Sequence, residues 1–432
     1  MNNEVISWIK RHRLLRTFVR AESFELKKRK ILDIFHQALR GRNIPATPYV
    51  YNSHQADIRQ IPELKAVICD VNFLDIAKLV ASSYYVSPTH DIVRLADALL
   101  ANSLLCHNKI ILSLRFAHKF IRSPYSAVYN ALSNSAFINR INSSVQYQTA
   151  FALLHEIAHF ECNDPSCLRA RFLKQKLNDL VDSHNQIAEY INRLDLTAIA
   201  PYLDKIKVNM AFAFPAPPNY TEIIEDCVYQ MHMVLIEHGH LVQTPQLSKE
   251  EREHVLVWAC ENYLRGQKAK LLDKDVLVTE GTCDLLALLE LMDFRIPGIN
   301  KVETLKLIID AYTLSLLTLD LIQGAMNVLE YTKGNGYDYV DMIYMRREKE
   351  MKLLPLMIIL YSHSHGDYLS NDEIIMLCEH FSDAARICDM MYAEFCEYVF
   401  SIEFEETTFI PHGSPEWIEI YTEINRILQY PV

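Results

Sequence analysis

The chain has 432 residues, half of them hydrophobic and 22% charged, with a formal net charge of −11. Those proportions exclude a disordered chain and allow a sizeable core, in one large domain or in two or three average ones. Only ten glycines argue against a turn-rich sheet architecture, so a mainly helical chain is expected. The ten cysteines (69, 106, 162, 167, 227, 260, 283, 378, 388 and 396) form no CxxC pair. That scatter excludes a disulfide framework and a cysteine-rich zinc site, and points to a reducing compartment.

The charge is uneven. Residues 1–42 hold eleven Lys and Arg against four acids, so this arm is +7 and the remainder −18. A basic helical arm can meet nucleic acid or an acidic partner. The preferred reading is a solvated helix face whose apolar side (Ile6, Ile9, Leu14, Phe18) docks on the body, with no nucleic acid bound. The opening MNNEVISWIKRHR lacks the apolar run of a signal peptide, and a cytoplasmic protein is expected. One or two amphipathic helices are predicted over residues 1–41. A proline-containing loop follows at 42–62, with a short extended piece at Tyr49–Tyr51.

Helical patterns are expected from Leu64 to Leu100, and Lys109–Ser113 reads as a strand or a helix start. Ser135–Ser144 (SAFINRINSS) reads as a short strand, with Phe137, Asn139 and Ile141 on one side. Ser143 and Gln146 have capping-box spacing, which would start a helix near Ser144. That helix runs through FALLHEIAHFE (151–161) and must stop by Asn163-Asp164-Pro165. A strand leading into such a helix suits a peptidase, because a strand edge can hold an extended substrate by main-chain hydrogen bonds. Leu168–Leu196 reads as a long amphipathic surface helix. A break at Ala211–Tyr220 has three prolines in AFAFPAPPNY. Leu305–Leu329 is the most apolar long stretch, but Lys306, Asp310 and Asp320 interrupt it, so it is a core helix and no membrane span.

The chemistry lies in His155, Glu156 and His159, an HExxH string. On a helix, i and i+4 share a face, so both imidazoles can hold one metal ion while Glu156 reaches a water on it. The apolar neighbours Leu153, Leu154, Ile157, Ala158 and Phe160 predict a buried helix, where unpaired polar groups are costly. Two core histidines hydrogen-bonded to their surroundings are the plain alternative. A third ligand is offered by VTEGTCDLLALLE (278–290). Glu280 and Asp284 lie one turn apart, so Glu280 can complete the site and Asp284 can fix the tautomer of a ligand histidine. Glu222, with Asp226 at the same spacing, is the rival, although Asn219 and Glu222 also fit a capping box. An oxyanion donor is sought in YSHSHGD (361–367), at His365 first, with His363 and Tyr361 beside it; Arg346 and Arg347 are read as solvated.

HExxH followed on a later helix by ExxxD is similar to the thermolysin-like gluzincins. The resemblance implies one zinc held by His155, His159 and Glu280, Glu156 as general base, and a protein or peptide substrate. It covers two short segments, separated by a spacer of about 120 residues, long enough for an inserted helical subdomain. The helical chain with HEIAH also resembles the phage-exclusion peptidase family of bacteria. The expected architecture is thus mainly α with a small β-sheet before the HExxH helix. A mostly helical region with the basic arm (1–130) precedes a zincin-like metallopeptidase core (131–432) with a helical insertion at about 165–270. Two other readings compete. One is a ferritin-like di-iron site built from ExxH pairs (Glu156/His159, Glu237/His240, Glu251/His254). The other is a zincin fold that binds or senses without cleaving.

Overall fold

A computed structural model describes residues 3–13, 15, 21–40, 44, 46–86, 92–122, 135–193, 200, 255, 258–259, 262–263, 268–293, 301–326, 353–359, 361, 369–402 and 409–428. The chain is mainly helical with a small three-stranded sheet near its N-terminus. It divides into two compact units, Met1–Lys174 with Thr279–Val432, and Gln175–Val278.

The first unit opens with α1 (Asn3–His12) and α2 (Ala21–Ala38), then β1 (Thr47–Tyr51), β2 (Ile58–Ile61) and β3 (Ala66–Asp70). The order is β1-β3-β2, with β1 parallel and β2 antiparallel to β3, so β2 is an edge. Alternation along β3 serves two layers. Ala66 and Ile68 pack under Val5 and Ile9 of α1, whereas Val67 and Cys69 enter the main core. Of the apolar side expected to dock, Ile9 is buried, joined by Val5, which the expectation did not include; Ile6 is half-buried, and Leu14 and Phe18 lie outside the described residues.

The buried Asp70 carboxylate organises the approach to β2. It accepts from the amides of Ser53, Ala56 and Asn72 at 3.0–3.1 Å and from the Ser53 hydroxyl. Burial nevertheless pushes it up to about 7. Next to it Asp57 takes Arg13 and Tyr51 as partners, which ties the arm to the loop before β2.

Helices α3 (Asn72–Val86), α4 (Ile92–Cys106), α5 (Ile110–Arg122), α6 (Ser135–Cys162), α9 (Lys301–Met326), α10 (Asn371–Phe400) and α11 (Pro415–Leu428) build the core. Labels α7 and α8 are kept for Leu168–Arg193 and Lys274–Leu291. α9 packs against α3, α4, α6 and α10, and its buried face includes Asp310 and Asp320. Among the described residues no helix is long and apolar enough to cross a membrane.

Two expectations are corrected and one left open is settled. Ser135–Ser144 is no strand: α6 runs unbroken from Ser135, and Ser143 lies inside it. Phe137 is half-buried and Ile141, Ser144 with Val145, and Gln148 are buried, the helical repeat, while Asn139 is exposed. Between Leu64 and Leu100 the run Ala66–Asp70 is a strand, buried at every residue. Residues 66–69 are all apolar, and so short a run has no periodicity to separate strand from helix. Lys109–Ser113, ambiguous for the same reason, opens helix α5.

In the second unit, Asn185 and Asn192 of α7 each exchange two hydrogen bonds with the backbone of Leu272 and Ala269 at 2.8–3.2 Å. His184 packs its ring against Trp258, and Lys274 pairs with Asp182 at 2.7 Å. Asp273 caps α8 by accepting from the amides of Asp275 and Val276.

Candidate metal centre

Between Ser135 and Cys162 there is neither proline nor glycine, so α6 continues for 28 residues and presents His155 and His159 one turn apart. It stops at Asn163–Pro165, where Asp164 accepts from the amide and hydroxyl of Ser166 and closes the turn. α8 brings Glu280 and Asp284 alongside. From Gly281 to Leu288 its residues are buried on every side, leaving Glu280 as the partly exposed acid at the mouth.

The donor atoms converge. His155 Nε2 and His159 Nε2 are 3.2 Å apart; Glu280 Oε2 is 3.3 Å from the first and Glu280 Oε1 3.8 Å from the second. His155, His159 and Glu280 therefore form a group that could hold a metal ion, all three ligand atoms lying within 4.8 Å of one another. Donors about 2.0–2.1 Å from a tetrahedral ion would stand roughly 3.3–3.4 Å from each other. Two of the separations, 3.2 and 3.3 Å, match that figure and the third, at 3.8 Å, is wider; two imidazoles with one carboxylate suit a borderline cation.

The surroundings orient these groups. Asp284, fully buried, accepts from His155 Nδ1 at 2.7 Å, which turns Nε2 toward the cluster. The edge of the Phe151 ring packs on Tyr312 next to the same imidazole. Burial alone would lower His155, but the Asp284 carboxylate and hydrogen bonds to Asp284 and Glu280 carry it up to about 10. Glu156 reaches the sheet, where its Oε2 accepts from the Gln60 amide of edge strand β2 at 2.7 Å. Burial pushes Glu156 up to about 7, against the lowering effects of His155 and the Gln60 amide.

The structure thus brings together His155, Glu156, His159, Glu280 and Asp284. His365, with His363, lies outside the described residues, as do Glu222, Asp226 and Asn219, Arg346 and Arg347, the break at 211–220, and the pairs Glu237/His240 and Glu251/His254. Tyr361 is buried. The Gln60 contact is one that sequence reading missed. It uses a main-chain amide, which no side-chain pattern announces.

No family model, no curated protein and no solved structure matches this chain.

Proposed function

We propose that the chain is a zinc-dependent endopeptidase acting on a protein or peptide substrate, with a zincin-like core, in the cytoplasm. The observation that carries the reading is the convergence of two imidazole nitrogens and the Glu280 carboxylate beside a glutamate that touches a sheet edge. His155, His159 and Glu280 would hold one zinc per chain, with Asp284 fixing the His155 tautomer. When bound, zinc makes a water acidic near neutral pH and polarises a carbonyl.

The remaining work falls to the chain's own residues. Glu156, with an affinity for protons near 7, is poised to take one from a water and hand it to the departing amine. Because Gln60 N–H and C=O point away from β3, the β2 edge can hold an extended peptide over Glu156 by main-chain hydrogen bonds. His365 is proposed as the donor that steadies the oxyanion.

The same donors would accept iron(II), so metal analysis comes first. One zinc per chain is expected, lost in Glu280→Ala and retained in Glu156→Gln. The latter should lose proteolysis by about 10²–10⁴-fold. A substrate cut at the wild-type rate by Glu156→Gln would rule out this mechanism. Two irons per chain would favour the ferritin-like alternative.

A further inference from the structure

Each of the two helices that carry the metal-site residues also carries a thiol, and the two thiols meet. Cys162 ends α6 three residues beyond His159, and Cys283 follows Glu280 by three on α8. Both are free, and their Sγ atoms are 3.4 Å apart. A disulfide spans about 2.05 Å, so a side-chain rotation and a slight approach of the helices would close it.

The two sulfurs differ in access. Cys283 is fully buried, whereas Cys162 is half-buried and lines a cavity of about 360 Å³ shared with Arg171, Lys174 and Thr282. Paired cysteines in a core often serve only as small hydrophobes. Here, however, one member opens onto a cavity with two cations and one carboxylate, Asp164, whose Oδ1 is taken up by the amide and hydroxyl of Ser166, and the other member lies against it at 3.4 Å. That is the layout of an attacking thiol with a resolving partner, in a pocket suited to a small anionic reagent.

We propose that Cys162 and Cys283 form a reversible dithiol–disulfide pair, oxidised by exchange with a small anionic disulfide such as glutathione disulfide, which staples the HExxH helix to the Glu280 helix. In the first step the Cys162 thiolate attacks one sulfur of the reagent, forming a mixed disulfide and releasing one thiol. Cys283 then attacks Cys162 Sγ, forming the internal bond and releasing the second thiol. Two protein thiols are oxidised, one disulfide is reduced to two thiols, and the protein's protons pass to the released thiolates. Arg171 and Lys174 attract the carboxylates of the reagent. The new bond lies one turn from His159 and one turn from Glu280, so it holds the two helices together and slows escape of a bound ion.

The test uses the full chain incubated with glutathione disulfide, then denatured, alkylated and mapped by mass spectrometry. The expected result is loss of two alkylatable thiols, with Cys162 joined to Cys283 and both recovered after dithiothreitol. Cys283→Ser should stop at a glutathione adduct on Cys162. If both thiols stay fully alkylatable, or if wild-type Cys162 accumulates the adduct without resolving, the pair is not a redox couple. Zinc loss to a chelator should be several-fold slower in the oxidised chain, and an unchanged rate would refute the staple. The mapping needs neither zinc nor proteolysis, so it stands or falls apart from the peptidase reading.

Discussion

Helix α6 carries two buried polar clusters, and their contrast separates a structural site from a chemical one. Near its start, Arg140 joins Tyr84, Tyr85 and His380 around the fully buried carboxylate of Asp310, at 2.9–3.5 Å. Near its end, about 22 Å further along at 1.5 Å per residue, His155 leans on buried Asp284. Both clusters pair a buried aspartate with a histidine. In the first, Tyr84, Tyr85 and Arg140 donate to one acceptor, His380 Nε2 stands 2.9 Å from it as an ion-pair contact, and burial with the Asp310 charge keeps both tyrosines protonated as donors. That knot closes on itself. In the second, two imidazole nitrogens and a second carboxylate face one another across a gap of ligand dimensions. Two imidazole nitrogens and a carboxylate converging on a point make a donor set that a cation can share.

If this contrast is right, damage to the two clusters should have different signatures. Asp310→Ala strips the acceptor from three or four donors, and Arg140, half exposed, can escape to water only in part. A loss of about 3 kcal/mol is expected, the lower end for a broken buried ion pair, read as a shift in the denaturation midpoint. Zinc content should not change. A chain that stays stable but loses zinc would mean that Asp310 belongs to the metal site.

Asp284→Asn makes the converse change. The amide keeps the shape but can no longer anchor the His155 Nδ1 proton as a charge, so metal affinity should fall about 10–100-fold. Competition with a fluorescent chelator measures it. Wild-type affinity in Asp284→Asn would reduce the residue to packing.

What could be read from the sequence follows the same physical division. The HExxH helix was legible because its message repeats every 3.6 residues and needs no partner to be recognised. Glu280 and Asp284 were legible as a spacing, although only the fold could bring α8 beside α6. The sheet was not legible beyond β1. β3 is buried on both faces and has no alternation, while β2 is four residues long. The strand expected at Ser135–Ser144 came from reading an alternation over too few residues, where the helical repeat Phe137, Ile141, Val145 fits as well. A sheet edge does stand beside Glu156, but it comes from residues 58–61, nearly a hundred positions upstream. The Cys162–Cys283 pair was invisible for a related reason: with a sequence separation of 121, only packing brings the two sulfurs together.

The smallest expected effect concerns protons. Glu156 rises from its usual 4.5 to about 7 and His155 from 6.5 to about 10. Each group holds more protons in the folded chain than in the unfolded one, so stability of the zinc-stripped protein must fall as pH climbs between the two values. Asp70, at about 7, and Asp97, at about 6, push the same way, but their windows close near neutrality. Unfolded thiols titrate at about 8.5, but Cys162, lowered by its hydrogen bond with Cys283, works in the opposite sense. With Cys162 replaced by serine, the interval from about pH 7 to 8.5 therefore reports chiefly on His155, whose elevation depends on Asp284. Thermal melts of the stripped protein should decline gently across that interval, and the decline should vanish in Asp284→Asn. Zinc-saturated protein should behave oppositely, because the ion competes with protons for the same imidazole and binds more tightly as pH rises. A decline that survives in Asp284→Asn would assign the titration elsewhere and remove the electrostatic distinction between the two ends of α6.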